Sequence, residues 1–478
     1  MPDIHYSNAS FSYKGKPVLN DISFSVKDGQ HCGIVGEIGS GKTMLLKSLT
    51  GVLPLQSGSR KFMDSGLEIS AYGFSCLTQF VEFAEQNKYF KPSRHFYQQR
   101  YQSLEDDESR SLLVEEYLRM HDVDTADAET REFLSKGKIT ELLHRKLIHI
   151  SSGQRKRLQL TMAIIRKPKV LLLDCPYTGV DVQTRRELNL WLKETADQFG
   201  IQLIIAANES DLPDFIDVKV ALPPKSKGSG EQEKRALDQL VDEWCAYANG
   251  QEFESMVKMR DVSLAYGEVQ ILKNLSWEVK SGEKVGLKGQ NGSGKSSLLS
   301  LVYGDNPLAY NKEIYLFDRK RGTGESIWDI KRNTGFVSSE FHLYMSDNIT
   351  CGKLIATGYF DQLFIPRKLT EAESKTIDLY FDYYGAAYLK DRFFHQISLG
   401  EQRLTLLIRA LIKNPTLLLL DEPYHGFDDE TITKSNRLIE TMIGCSGNTL
   451  IFISHDSRVM PDIVHTHYEL KQGEIHQA

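Results

Sequence analysis

Polar and apolar residues alternate in two stretches far apart in the chain, "HYSNASFSY" from His5 and "MRDVSLAY" from Met259. Period-two alternation predicts strands with one buried face. Unbroken apolar runs, "VLLLD" ending at Asp174 and "TLLLLD" ending at Asp421, predict central strands of a sheet covered on both faces. Two further runs, "QLIIAA" and "TLIFIS", predict a last strand in each half. Between them each half reads in the same order: strand, glycine-rich loop, helix, a variable helix-rich insert, helix, buried strand. That alternation predicts an α/β fold.

The pattern is written twice. "GEIGSGKT" ends in Lys42-Thr43 and "GQNGSGKS" in Lys295-Ser296, an offset of 253 (295 − 42). "ISSGQRKRLQL" recurs as "ISLGEQRLTLL", and "LLLDCPYTGVD" as "LLLLDEPYHGFD"; both are offset by 247 (400 − 153 and 421 − 174). Ordered motifs at near-equal spacing imply a duplicated domain. The expected division is 1–221, a linker at 222–255, and 256–478. The linker opens with Pro-Pro and Gly-Ser and turns charged and helix-prone. As a flexible chain it would reach about 30 Å; its second part reads equally well as an ordered helix.

GxxxxGK[ST] after a strand and before a helix is a phosphate cradle. Its glycines let backbone N–H groups face phosphates, its lysine reaches the outer phosphates and its hydroxyl ligates Mg²⁺. The nucleotide-binding candidates are Gly36, Glu37, Ile38, Gly39, Ser40, Gly41, Lys42 and Thr43 in the first half. In the second they are Gly289, Gln290, Asn291, Gly292, Ser293, Gly294, Lys295 and Ser296. Asp174 and Asp421, each closing a buried apolar strand, are the expected second metal contacts beside Thr43 and Ser296. The cofactors implied are ATP and Mg²⁺.

With "ISSGQ" and "ISLGE" in place, the sequence resembles the ATP-binding cassette (ABC) ATPases, whose signature is usually Leu-Ser-Gly-Gly-Gln. The resemblance implies two P-loop NTPase domains in tandem, each with a helical signature subdomain and an antiparallel β subdomain. It also implies that two cassettes close head to tail, each ATP lying between one phosphate loop and the other cassette's signature. Signature candidates are Ser151, Gly153 and Gln154 in one half, Ser398 and Gly400 in the other. Tyr13 and Tyr266 resemble the aromatics that stack on adenine. Glu422 resembles the general base and His455 the switch histidine; Asp181 and Asp428 resemble the aspartates that couple the two sites. Gln79 is matched to the family's glutamine loop, a metal contact; Ser339 stands there in the second half.

The first half departs from the pattern at two further positions. Cys175 stands where the base belongs and Asn208 where the histidine belongs. A thiol with a reference pKa near 8.5 is a poor acceptor for orienting water. In the second signature Leu399 replaces glycine and Glu401 replaces glutamine. By the family's pairing these defects collect in one composite site, expected to hold ATP, while the other hydrolyses it.

Composition narrows the setting. The 478 residues carry 58 basic and 64 acidic side chains, a net charge of −6, so bulk charge does not favour nucleic acid and no DNA partner is expected. No apolar run approaches a membrane span and the N-terminus does not read as a signal peptide. Six scattered cysteines without a CxxC pair suggest free thiols in a reducing cytoplasm. The resemblance implies transport, of molybdate type, with a membrane permease as a separate chain, at the membrane's inner face. Other importer ATPases and ribosome-associated double ATPases are the alternatives; an aromatic and basic insert at 88–102 suits either RNA or a packed helical arm. The loop "DRKRGTGES" reads as a basic hairpin or as a binding surface.

Overall fold

The computed structural model describes residues 1–13, 15–83, 111–147, 150–178, 180, 182–224, 230–246, 253–266, 269–289, 292–338, 341, 345 and 348–478. The described residues form two compact units, one within 1–224 and one within 230–478. The aromatic and basic insert, Asp181, Gln290, Asn291 and Ser339 lie outside the described residues.

The first unit contains β1 (Asp3–Tyr13), β2 (Lys16–Val26), β3 (Cys32–Val35), β4 (Leu55–Asp64), β5 (Leu67–Ile69), β6 (Thr78–Glu82), β7 (Val170–Asp174), β8 (Gln202–Ala206) and β9 (Val218–Ala221). An antiparallel sheet runs β2-β1-β4-β5 and a parallel sheet runs β6-β7-β8-β3-β9. In β1 the buried positions step from Ile4 and Tyr6 to Ala9 and Phe11. Asn8, with φ 46°, lies where the register shifts and the alternation changes phase. Every residue of β7 and β8 is buried, as unbroken apolar runs require: one face shares a core with the antiparallel sheet and helix Lys42–Leu49, the other with helices Ser152–Ile165 and Val182–Phe199. Helices Val114–Met120, Ala128–Lys136 and Ser152–Ile165 share a smaller core around Leu118, Leu134 and Leu158.

The second unit repeats the plan with β10 (Ser255–Tyr266), β11 (Val269–Lys280), β12 (Lys284–Lys288), β13 (Ile314–Leu316), β14 (Arg319–Lys320), β15 (Thr334–Val337), β16 (Leu417–Asp421), β17 (Thr449–Ile453), β18 (Thr466–Lys471) and β19 (Glu474–Gln477). Its antiparallel sheet runs β11-β10-β13-β14. The larger sheet runs β15-β16-β17-β12-β18-β19, the same order as in the first unit with an antiparallel edge hairpin added. In both units the strand before the phosphate loop is flanked by the last buried strand, so the two apolar-run strands deliver their ends beside that loop. The fold class is thus tandem α/β with antiparallel and helical additions. No helix among the described residues is long and apolar enough to cross a membrane.

Gly230–Ala246 forms a 17-residue helix that packs on helices Glu371–Tyr383 and Asp429–Ser446 of the second unit. Ala236, Leu237, Leu240 and Trp244 turn inward at helical spacing. The Trp244 indole N–H donates to Tyr380 Oη at 3.2 Å, and Asn414 Nδ2 donates to the Trp244 carbonyl at 3.0 Å. The expectation of free thiols throughout needs correction here. Cys245 and Cys445 form a disulfide across 200 positions, because helix packing brings their Cα atoms to 5.9 Å. Cys32, Cys76, Cys175 and Cys351 are free. The "DRKRGTGES" loop is tied down from within: Glu325 accepts from Arg321 at 2.7 Å and from the Gly322 and Thr323 N–H groups, and the buried Arg321 lies over Tyr310.

Candidate functional site

Each phosphate loop leaves its strand and enters its helix through a glycine in the left-handed region, Gly41 at φ 105° and Gly294 at φ 101°. Close approach also requires glycine at the loop starts. A Cβ on Gly36 would lie 2.6 Å from Ser40 Oγ, and one on Gly289 would lie 2.6 Å from Ser293 Oγ and 2.8 Å from the Leu470 carbonyl. Lys42 Nζ donates to the Gly36 carbonyl and, at 3.1 Å, to that of Glu37. Lys295 Nζ donates to the Gly289 carbonyl at 2.6 Å. The loop thus folds around its own ammonium. Ser40 Oγ and Ser293 Oγ are buried without a hydrogen-bond partner, polar atoms inside a cradle shaped for an anion.

Behind the first loop Thr43 Oγ1 donates to Asp174 Oδ2 at 2.7 Å, and Asp174 Oδ1 is buried without a partner. Burial pushes the Asp174 carboxyl up; Thr43 opposes this and the charge of Glu82 adds to it. A hydroxyl and an orphaned carboxylate oxygen beside a phosphate loop suit Mg²⁺, which binds through one or two protein oxygens plus phosphates.

One residue beyond the strand end the two units diverge. Cys175 (φ 52°) and Glu422 (φ 47°) are both non-glycine residues with left-handed backbone. Each donates its N–H to the end of the neighbouring strand, Cys175 to Ala206 at 2.9 Å and Glu422 to Ile453 at 3.0 Å. Such backbone outliers cluster at functional turns. Glu422 is buried, yet ringed by donors. Its Oε1 accepts the His455 N–H at 2.9 Å and lies 3.4 Å from His455 Nε2; its Oε2 lies 3.4 Å from Ser454 Oγ and from His425 Nε2. Burial pushes this carboxyl up, but His425, His455 and Lys295 outweigh it and hold the group below the usual glutamate range. Burial, with the charge of Asp174 added, drives the Cys175 thiol far up, so it stays protonated.

His425 escaped the sequence reading. In "DEPYHGFD" it reads as a turn residue, and its one signal was that Thr178 occupies the matching place in the first half. Asn208 sits at the matching place to His455, two residues after its strand. Asp428 caps helix Asp429–Ser446, accepting the Thr431 N–H at 2.8 Å.

The signature residues open helices. Ser151 Oγ accepts the Gln154 N–H at 3.2 Å, and Gln154 returns its Oε1 to the Ser151 N–H at 2.9 Å. Gly153 leaves a Cβ position 3.4 Å from Thr184. In the second unit Ser398 and Glu401 form the same box at 3.3 and 2.7 Å, and Tyr388 donates to the Glu401 carboxylate at 2.8 Å. Glu401 therefore keeps the capping role of glutamine while adding charge, and Gly400 lies directly against Gly426 of the turn after Glu422.

Gln79, expected as a metal contact, does not stand beside Asp174, a correction forced by strand register. It pairs with Leu171, three residues short of Asp174; Glu82 is the residue opposite Asp174, and it ion-pairs with Lys47 at 3.2 Å. The position one beyond Glu82 is Phe83, as Ser339 is one beyond Ser338. Tyr13 ends β1, 42% exposed, whereas the Tyr266 hydroxyl accepts from Asn306 at 2.8 Å.

The family described as ABC transporter matches residues 19–178 and 272–425, the two regions that carry these loops and signatures. The ABC transporter ATP-binding protein ModF of Escherichia coli is 31% identical, over 96% of this chain and 95% of its own length. An uncharacterized ABC transporter ATP-binding protein of Schizosaccharomyces pombe is 28% identical over 99% of this chain and 98% of its own. A solved dimeric cassette in a post-hydrolysis state, bound to ADP and Pi, is 25% identical and covers 47% of this chain and 98% of that one, with a TM-score of 0.42. The chain belongs to the ABC transporter family: it carries two ATP-binding cassettes in one polypeptide, binds ATP and hydrolyses it.

Proposed function

We propose that the two cassettes act unequally, with hydrolysis confined to the site built on Lys295, Asp421, Glu422 and His455. One contrast carries this reading. At matching backbone positions stand a buried glutamate faced by two imidazoles and a protonated thiol faced by none. A carboxylate held ionised in a dry pocket can accept a proton from attacking water; a thiol with a raised pKa cannot. The first cassette keeps Lys42, Thr43 and Asp174, the parts that hold a nucleotide. Mg²⁺, held by Thr43 with Asp174 and by Ser296 with Asp421, would supply charge neutralisation at the phosphates.

By the pairing the family resemblance implies, Ser151, Gly153 and Gln154 complete the hydrolytic site, and Ser398 with Gly400 the holding site. That pairing occurs within one chain, since both cassettes are present. Relatives named as transporter ATP-binding proteins favour a role in transport; the cytoplasmic setting at the inner face of a membrane, the separate permease and molybdate-type transport rest on the family resemblance. With Phe83 and Ser339 at the glutamine-loop positions, coupling to the permease would use other contacts.

Steady-state ATPase assays on the full chain test the asymmetry. Glu422→Gln should lower turnover by about 10² to 10⁴, the usual worth of a general base, and Cys175→Ala should change it less than twofold. After rapid desalting, about one ATP per chain should remain, lost in Lys42→Ala and kept in Lys295→Ala. Equal turnover at both sites would refute the proposal.

A further inference from the structure

We propose that His425 is a positioning residue for the Glu422 carboxylate, holding one of its oxygens so that the other faces water. The proposal rests on Glu422 being the base, and it concerns a residue outside the loop, strand-end and signature motifs.

The geometry divides the carboxylate between two rings. His425 Nε2 lies 3.4 Å from Oε2, and His455 Nε2 lies 3.4 Å from Oε1. The place of the His425 ring is built by its turn. Glu422 has φ 47° and Gly426 φ 81°, and the Phe427 N–H donates to the Tyr424 carbonyl at 3.0 Å, which folds the chain back over the glutamate. The turn is pinned from the other side, because a Cβ on Gly426 would lie 3.2 Å from the Gly400 nitrogen. A side chain on a tight, buttressed bend is placed as reproducibly as the bend itself.

A carboxylate that accepts a proton needs its lone pair aimed at the water, and in a buried pocket bulk solvent does not do the aiming. The family resemblance assigns His455 to the γ-phosphate. His425 is then the imidazole that stays with Glu422 when His455 turns to nucleotide. An Nε2–H turned to Oε2 acts with the His455 backbone N–H on Oε1, at 2.9 Å, to fix the plane of the carboxylate, and leaves the second lone pair of Oε1 to take the proton; His425 itself transfers none. The first cassette has Cys175, Thr178 and Asn208 in these three places, so where the base is absent its positioner is absent too.

The test is a double-mutant cycle in the full-length chain with saturating ATP and Mg²⁺. His425→Ala should lower kcat about tenfold while KM for ATP stays within twofold. His425→Gln, whose amide nitrogen can stand near the position of Nε2, should recover most of the loss; the shorter Asn should not. Glu422→Gln combined with His425→Ala should be no slower than Glu422→Gln alone, because no carboxylate remains to position. The thermal midpoint of each variant separates misfolding from mispositioning. Full activity in His425→Ala, equal rates for Gln and Asn, or a further tenfold fall in the double variant would each overturn the proposal. If Glu422→Gln itself keeps its turnover, the assignment of the base fails instead.

Discussion

Trp244 is the largest side chain that helix Gly230–Ala246 buries against the second cassette, beside Ala236, Leu237 and Leu240, and replacing it by alanine should loosen the helix. Trp244 is 3% exposed, and its indole N–H is donated to the fully buried Tyr380 hydroxyl. Removing a buried tryptophan costs about 3 to 5 kcal/mol. A lone 17-residue helix is marginal in water, so most of that loss falls on the helix. At about 1.4 kcal/mol per decade, amide exchange across 230–246 should speed up by two to three orders of magnitude. Trp244→Phe separates packing from hydrogen bonding: the ring stays, the donor goes, and a buried hydroxyl without its donor costs about 1 to 3 kcal/mol. Its exchange should quicken by about one to two orders. Both variants are measured by hydrogen exchange with mass spectrometry under reducing agent, since the Cys245–Cys445 bond would otherwise hold the helix end in place. Unchanged protection in Trp244→Ala, or a phenylalanine variant as damaged as the alanine one, would show that the helix is held by something else.

The disulfide itself closes a loop of 200 positions, worth up to about 5 kcal/mol on chain-entropy grounds; reducing it, or Cys245→Ser, should lower the urea midpoint of the second cassette and leave that of the first unchanged. Lys413 is buried against Asp361, and burial pushes its ammonium down to about 8. The unfolded chain therefore binds this proton more tightly between about 8 and 10.5, so the group's contribution to stability rises with pH across that window. Lys413→Met should lack that rise, as read from denaturant melts across the same window; a flat pH difference between wild type and variant would refute it.

The sequence alone was enough for the duplication, both phosphate loops, the strand-end aspartates, the signatures and the contrast between Cys175 and Glu422. Each is a short run in which the chemistry demands particular residues at fixed local spacing. Gly41 must adopt a left-handed backbone and Lys42 must follow it, so the requirement shows in adjacent letters. Apolar runs such as 170–174 told of burial on both faces for the same reason: period and length are local properties.

Tertiary structure decided whatever depends on which distant residues meet. Gln79 looked well placed until strand register set it beside Leu171 and put Glu82 opposite Asp174; sequence spacing alone does not report register. Cys245 and Cys445 became partners because two helices pack side by side, although 200 positions separate them. His425 became a neighbour of the Glu422 carboxylate because the chain bends left-handed at Glu422 and turns tightly at Gly426. Linear order conveys what each segment can form; only packing, which selects one set of long-range contacts among many of similar local cost, determines what each segment touches.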